Sequence, residues 1–265
     1  MTEIGPQPQQ PPLSGTLLFY SQPEPLNKIV HANLGLKRID NPYGFVAGAN
    51  IVPLMVNEFA PAALSYPIIF AGSPRRPAAV LALAPGQSLF VDAKTGFKPE
   101  AYVPLYVRRY PFALANDQDN QRMVLVLDRG SELVGENPEM PFFENGEPSK
   151  LIDDTIKFCN DFEASRQLTD RFCDHLEELD LFEVRTASFT PRNTDGSEGT
   201  AQPIAEFFAI DEKKLNALPT EKLAELRDTG ALHQIYAHLI SMAGWDRLLA
   251  MHFNRTPSTQ SVGHA

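Results

Sequence analysis

Cysteine and tryptophan are scarce in this chain: two of the first, Cys159 and Cys173, and one of the second in 265 residues. Two thiols cannot staple a chain of this size, so a disulfide scaffold is excluded. Both fall in one helical pattern, 14 residues apart, which places them roughly 21 Å apart along a helix axis. That is too far to bridge, and reduced thiols packed as small hydrophobes are expected. Basic residues are also few, with 23 Lys+Arg against 33 Asp+Glu and a formal charge of −10. A surface of that sign repels polyphosphate and excludes a general nucleic-acid binder. No apolar run reaches the ~18 residues of a membrane-spanning helix. The opening MTEIGPQPQQPP carries neither a basic nor an apolar signal region, and the expected location is the cytoplasm.

Catalytic signatures are missing as well. There is no GxxxxGK[ST], no GxGxxG opening a helix, no HExxH and no cysteine pair at zinc spacing, so no phosphate cradle, cofactor or metal is expected. Gly196-Ser197-Glu198-Gly199 does not have the spacing of a nucleophile elbow. Asp117-Gln118-Asp119 lacks the glycine and closing glutamate of a calcium loop and reads as a polar turn.

What is present is a change of pattern along the chain. Residues 1–14, rich in Pro and Gln, are expected to be a disordered leader. Between 15 and 130, short apolar runs are cut by Pro and Gly, the punctuation of strands. TLLFY (16–20), PIIFAG (67–72), AAVLAL (78–83), SLFVD (88–92), YVPLYVRRY (102–110) and RMVLVLD (122–128) each predict a strand. The prolines in and beside them predict an irregular antiparallel sheet, interrupted by a short helix at 56–64. From 149 to 253 the period becomes helical. Ser149 is a predicted cap for a helix from Lys150, whose apolar face rotates beyond Arg166 and predicts a kink near Ala164-Ser165 or two helices. A hairpin of 182–189 and 204–210 follows, then helices capped at Asp211 and Thr220, and a last helix over 231–253 that is apolar around most of its girdle. The polar residues 254–265 predict a frayed tail. The fold class is therefore α+β, one domain over 15–253, an irregular antiparallel β-rich N-terminal half packed with a helical C-terminal half that includes one β-hairpin.

Charge and polar residues nominate two surfaces. Residues 131–183 hold 15 acidic and 4 basic side chains, which reads as a solvated helix face with a charged loop, or as a docking face for a basic partner. Among six histidines, His233 and His238 project in different directions, and His175 with Glu178 forms a one-turn pair better suited to a surface ion pair than to a metal. His31 lies in the strand-rich half with Glu58, Asp92, Arg108 and Arg109 as polar groups that could converge on a ligand. Arg108 and Arg109, adjacent in a predicted strand, should face opposite sides. The inward one is neutralised by Glu58 or Asp92, or else grips a carboxylate with its planar fork.

The strings carrying those residues also resemble a known family. Val30-His31-Ala32-Asn33-Leu34, Asn57-Glu58-Phe59 with Tyr66-Pro67-Ile68-Ile69-Phe70, Ser88-Leu89-Phe90-Val91-Asp92, Tyr102-Val103-Pro104 leading to Arg108-Arg109-Tyr110-Pro111-Phe112, and Phe207-Phe208-Ala209-Ile210-Asp211 through Tyr236-Ala237-His238-Leu239 are similar, in order, to the SapC family of bacterial proteins. The resemblance implies an association with a bacterial surface layer, and with gene clusters containing outer-membrane receptors, halogenase-like proteins and JmjC/cupin-like oxygenases. It brings no catalytic residue set. The expectation is a non-catalytic accessory or binding protein acting with a protein or peptide partner, without nucleic acid or a membrane span, and with oligomerisation open. The alternative is an enzyme or enzyme subunit acting on a peptide or small carboxylic acid, with His31 as acid–base and Arg108 or Arg109 as anchor.

Overall fold

The computed structural model describes residues 17–117, 122–190 and 199–255. The expected leader (1–14), residues 256–265 of the expected tail and the middle of the hairpin connection lie outside the described residues. Among the described residues seven α-helices follow one another: α1 (Phe59–Ala63), α2 (Leu105–Arg108), α3 (Lys150–Glu178), α4 (Glu212–Asn216), α5 (Thr220–Asp228), α6 (Ala231–Ser241) and α7 (Gly244–Arg255). Every strand pairing among the described residues is antiparallel, and the fold is α+β. Among the described residues no helix is long and apolar enough to cross a membrane. The described residues divide into two compact units, the first from those up to Pro42 with those of Arg108–Ala164, the second from Tyr43–Val107 with those from Ser165 onward.

In the first unit, Arg122–Asp128 lies between Pro23–Pro25 and Phe112–Asp117, and Leu34–Leu36 lies between Val134–Glu136 and Met140–Pro141. Leu34, Phe112, Leu127, Val134, Phe142, Ile152 and Cys159 form its buried core. Gly35, in the middle strand, has no room for a side chain, because a Cβ there would collide with the Met140 carbonyl and with Pro138. Of the strand expected at 16–20, the described residues 17–20 form instead a turn, followed by the strand Pro23–Pro25. The reason is a buried carboxylate. Asp128 accepts hydrogen bonds from the Gln22 N–H at 2.7 Å, the Ser21 N–H at 3.1 Å and the Tyr110 hydroxyl at 2.9 Å, and these draw the chain at 20–22 into a bend. Burial pushes the Asp128 carboxyl up, but the combined donors of Gln22, Ser21, Tyr110 and Gly130 outweigh it and hold the group below its ordinary range. Burial likewise pushes the Tyr110 hydroxyl up to about 12, so it remains a donor.

In the second unit, five strands run in the order Phe182–Phe189, Gln202–Ile210, Ile68–Ala71, Arg76–Val80, Ile51–Pro53. The C-terminal hairpin thus completes a sheet begun more than a hundred residues earlier. Where Gln202–Ile210 meets Ile68–Ala71 the register is carried by one pair, Phe208 with Phe70, and α6 supplies what the ladder does not. The Ile210 N–H donates to His238 Nε2 at 3.1 Å and the Ile68 N–H to Ser241 Oγ at 3.0 Å. Phe59, Phe70, Phe172 and Phe182 pack edge to face around this junction, a geometry that adds to plain burial.

Further expectations are corrected. Residues 102–110 are not a strand; Pro104 precedes the short helix α2, as proline suits a helix start. The helix α3 is a single 29-residue element without a break. Its apolar stripe rotates because Ile152 and Cys159 join the first unit's core, whereas Phe172, Cys173 and Leu176 are buried in the second. The last helix is two, since i to i+3 bonds at Met242 and Ala243 tighten the chain and let Trp245 stack on Phe207 at 5.2 Å. Its girdle is not all covered, as Tyr236 and Ile240 stand exposed, and α7 reaches Arg255, inside the expected tail.

Replacing Asp128 with Ala strands several buried donors, each worth about 1–3 kcal/mol when unmet. A loss of about 3 kcal/mol or more in denaturant unfolding is expected, against less than about 0.5 kcal/mol for exposed Glu132→Ala. His238 gives a pH signature. Burial lowers its pKa from 6.5 to about 3, so between those values the unfolded chain takes up a proton that the folded chain refuses. Stability is full above pH 6.5 and falls with acid by up to about 1.4 kcal/mol per pH unit. Urea midpoints at pH 7 and pH 5 check this, and His238→Gln, which keeps an acceptor for Ile210, is expected to lose that component of the slope.

Candidate functional site

Of the five polar residues nominated by the sequence, His31, Glu58, Asp92 and Arg109 each have a definable local role. His31, in the first unit, is 1% exposed. Its Nδ1 accepts from the Asn27 N–H and its Nε2 faces Glu24 Oε1, both at 2.9 Å. The ring therefore carries its proton on Nε2, as the bonding pattern requires, and closes the turn 27–31 against the strand Pro23–Pro25. The turn holds Ile29 and Val30 out in solvent, 81% and 63% exposed. Arg109 is buried with its guanidinium over the Phe162 ring at 4.4 Å and nearer than 6 Å to Tyr20, a stacking geometry favoured by the ring quadrupole. Arg108 ends α2 and is exposed. The two arginines do differ in burial, but through a helix end and not through strand alternation.

Glu58 and Asp92 belong to the second unit. Glu58 is buried; its Oε2 accepts from the Met55 N–H at 2.8 Å, and its Oε1 from the Leu105 N–H at 2.6 Å and the Tyr102 hydroxyl at 3.0 Å. It fixes where α2 begins. Asp92 is exposed and bonds the N–H groups of Lys94 and Thr95 in the turn between Val91–Asp92 and Gly96–Phe97. It borders a cleft of about 700 Å³ with Phe90, Phe97, Lys98 and Met251. Within the first unit, both nitrogens of His31 are engaged by residues other than the arginines.

A second cleft, of about 400 Å³, is one that the sequence reading did not assemble. Its wall is built by α3, α5, the start of α6 and the turn at 56–57. The spacing Leu168, Arg171, Phe172, His175 places four of its residues on one face of α3. His175 Nδ1 lies 3.6 Å from Glu178 Oε2 and its Nε2 3.8 Å from Glu225 Oε1, too far for hydrogen bonds. His175 Nε2 and Gln234 Oε1 are sealed from solvent and hydrogen-bonded to no protein atom. Among the described residues no group of three or more His, Cys, Asp or Glu is placed to hold a metal.

The acidic stretch divides by use. In the second unit, Asp170 and Asp174 bind Arg76 at 2.6 and 3.3 Å, Glu177 binds Arg75 at 2.5 Å, and Asp180 binds Lys214 at 2.8 Å. In the first unit, Glu132, Glu136, Glu144, Glu147 and Asp153 are exposed and make no ion pair among the described residues. The cysteines are free and buried. Burial pushes Cys159 up to about 11, partly countered by Arg109, and Cys173 up to about 12, partly countered by Arg76.

A protein-family model described as SapC matches residues 26–248. No curated protein and no solved structure matches the chain.

Thiolate is the reactive form of cysteine, so neither Cys159 nor Cys173 is expected to react with a disulfide reagent at pH 8 in the native protein. Both should react once denaturant is added, which counting released thiolate will show.

Proposed function

The chain belongs to the SapC family, and from that premise we propose that it is a non-catalytic accessory protein that docks a basic segment of a protein or peptide partner. The observation carrying this reading is the set of exposed, unpaired carboxylates of the first unit, Glu132, Glu136, Glu144, Glu147 and Asp153. Acidic residues engaged by Arg75, Arg76 and Lys214 are already neutralised; these five are not. Glu144 and Glu147 flank the Asn145-Gly146 turn, an exposed tip that a partner can reach without deforming the core. Partners of the classes tied to the family are a halogenase-like protein, a JmjC/cupin-like oxygenase and an outer-membrane receptor system.

Exposed charges act over about 10 Å at 0.1 M salt and about 3 Å at 1 M. Affinity for a purified partner of those classes is therefore expected to fall steeply between those salt concentrations. The double reversal Glu144→Lys/Glu147→Lys is expected to weaken binding about tenfold or more at the lower salt with unchanged thermal stability. Affinity indifferent both to salt and to the reversal would refute an electrostatic dock.

A further inference from the structure

The five-stranded sheet of the second unit ends in two unlike edges. One is Ile51–Pro53, three residues closed by a proline, and both features guard against another chain adding to a sheet. The other is Phe182–Phe189, eight residues without proline or lysine, and among the described residues no strand pairs on its outer side. The Asp211 N–H donates to the Leu181 carbonyl at 2.8 Å. Residues 183 and 185 therefore turn their N–H and C=O groups toward Gln202–Ile210, and Phe182, Val184 and Thr186 turn theirs outward. The Ile210 N–H, opposite Phe182, accordingly points away from this strand and donates to His238. At the outer edge the Phe182 carbonyl accepts from Lys214 Nζ at 3.2 Å, which leaves it a second lone pair.

Side chains along this edge select its occupant. Val184 is β-branched and 56% exposed. Glu183 and Arg185 flank it, share the opposite face, and lie 3.0 Å apart, partly in solvent. An acid and a base placed evenly about a central residue complement their own rotated image. In a second copy run antiparallel about a two-fold axis at Val184, Glu183 stands opposite Arg185 on both sides of the axis. These are the non-hydrogen-bonded pairs, with Cα atoms about 4.5 Å apart and side chains at their closest. The neighbouring registers that keep the outward groups aligned centre on Glu183 or Arg185 and set like charges opposite each other.

We propose that a second copy of this chain adds to this edge, with Val184 bonding Val184 and Phe182 bonding Thr186 through their backbones, so that one sheet continues across the two-fold axis. The strand lies wholly in the second unit, and its pairing stands or falls apart from the docking role of the first.

Sedimentation equilibrium of the full chain from micromolar to submillimolar concentration tests it, with a reversible dimer expected. Val184→Pro removes the N–H on the axis at an edge position that tolerates proline, and is expected to give a folded monomer by circular dichroism. Glu183→Arg and Arg185→Glu are each expected to weaken dimerisation about tenfold or more, and the two together to restore it; that exchange decides the matter should the proline variant fail to fold. Val184→Cys is expected to cross-link copies under mild oxidation, because Cα atoms about 5.5 Å apart suit a disulfide, and Thr186→Cys is not. Cys159 and Cys173 are buried and do not compete. A chain monomeric throughout overturns the proposal and leaves the edge to an extended segment of another protein. A dimer indifferent to the single reversals, or one cross-linked through position 186 and not 184, overturns it as well.

Discussion

A carboxylate taken out of water must gather donors from whatever the chain brings near it, and each unit of this protein closes around one that does. Asp128 draws on Ser21, Gln22, Tyr110 and Gly130; Glu58 draws on Met55, Tyr102 and Leu105. In both cases the donors come from segments far apart in sequence, so each acid acts as a tertiary clasp. The bend before Pro23, the position of α2 and the half-buried setting of Tyr110 follow from these two residues and not from local propensity.

That dependence explains how much of the fold could be read beforehand. Elements with a long, regular pattern were legible: RMVLVLD as a strand, the start of α3 after Ser149, the hairpin 182–210, and Asp211 as a cap, its Oδ1 accepting from the Lys213 and Lys214 N–H groups. YVPLYVRRY was misread because its apolar residues suit a strand, whereas the Leu105 N–H is satisfied by Glu58, 47 residues upstream. No window of sequence contains that donor and acceptor together. The short strands at 34–36, 134–136 and 140–141 leave no trace in the sequence because two or three residues carry no period.

Candidate sites were legible in residue type more than in arrangement. His31 and Glu58 are indeed buried polar groups, but what the sequence hides is that their partners, Glu24 and the N–H groups of Met55 and Leu105, are near them. The acidic stretch was visible as a charge count, and only the fold separates carboxylates bound by Arg75 and Arg76 from those left in solvent. The cleft left a partial trace: Leu168, Arg171, Phe172 and His175 follow helical spacing, yet Gln234 and Gly230 join them through α6, some sixty residues later.

Gly35 carries a different lesson. Its strand is covered so closely by Pro138 and Met140 that the position holds bare backbone and nothing else. A mutational scan for loss of function would therefore find every replacement at this site damaging, although the residue offers no charge, no nucleophile and no ligand contact. Intolerance there measures how tightly the sheet is shut, and it would mislead anyone who took the most fragile position for the working one.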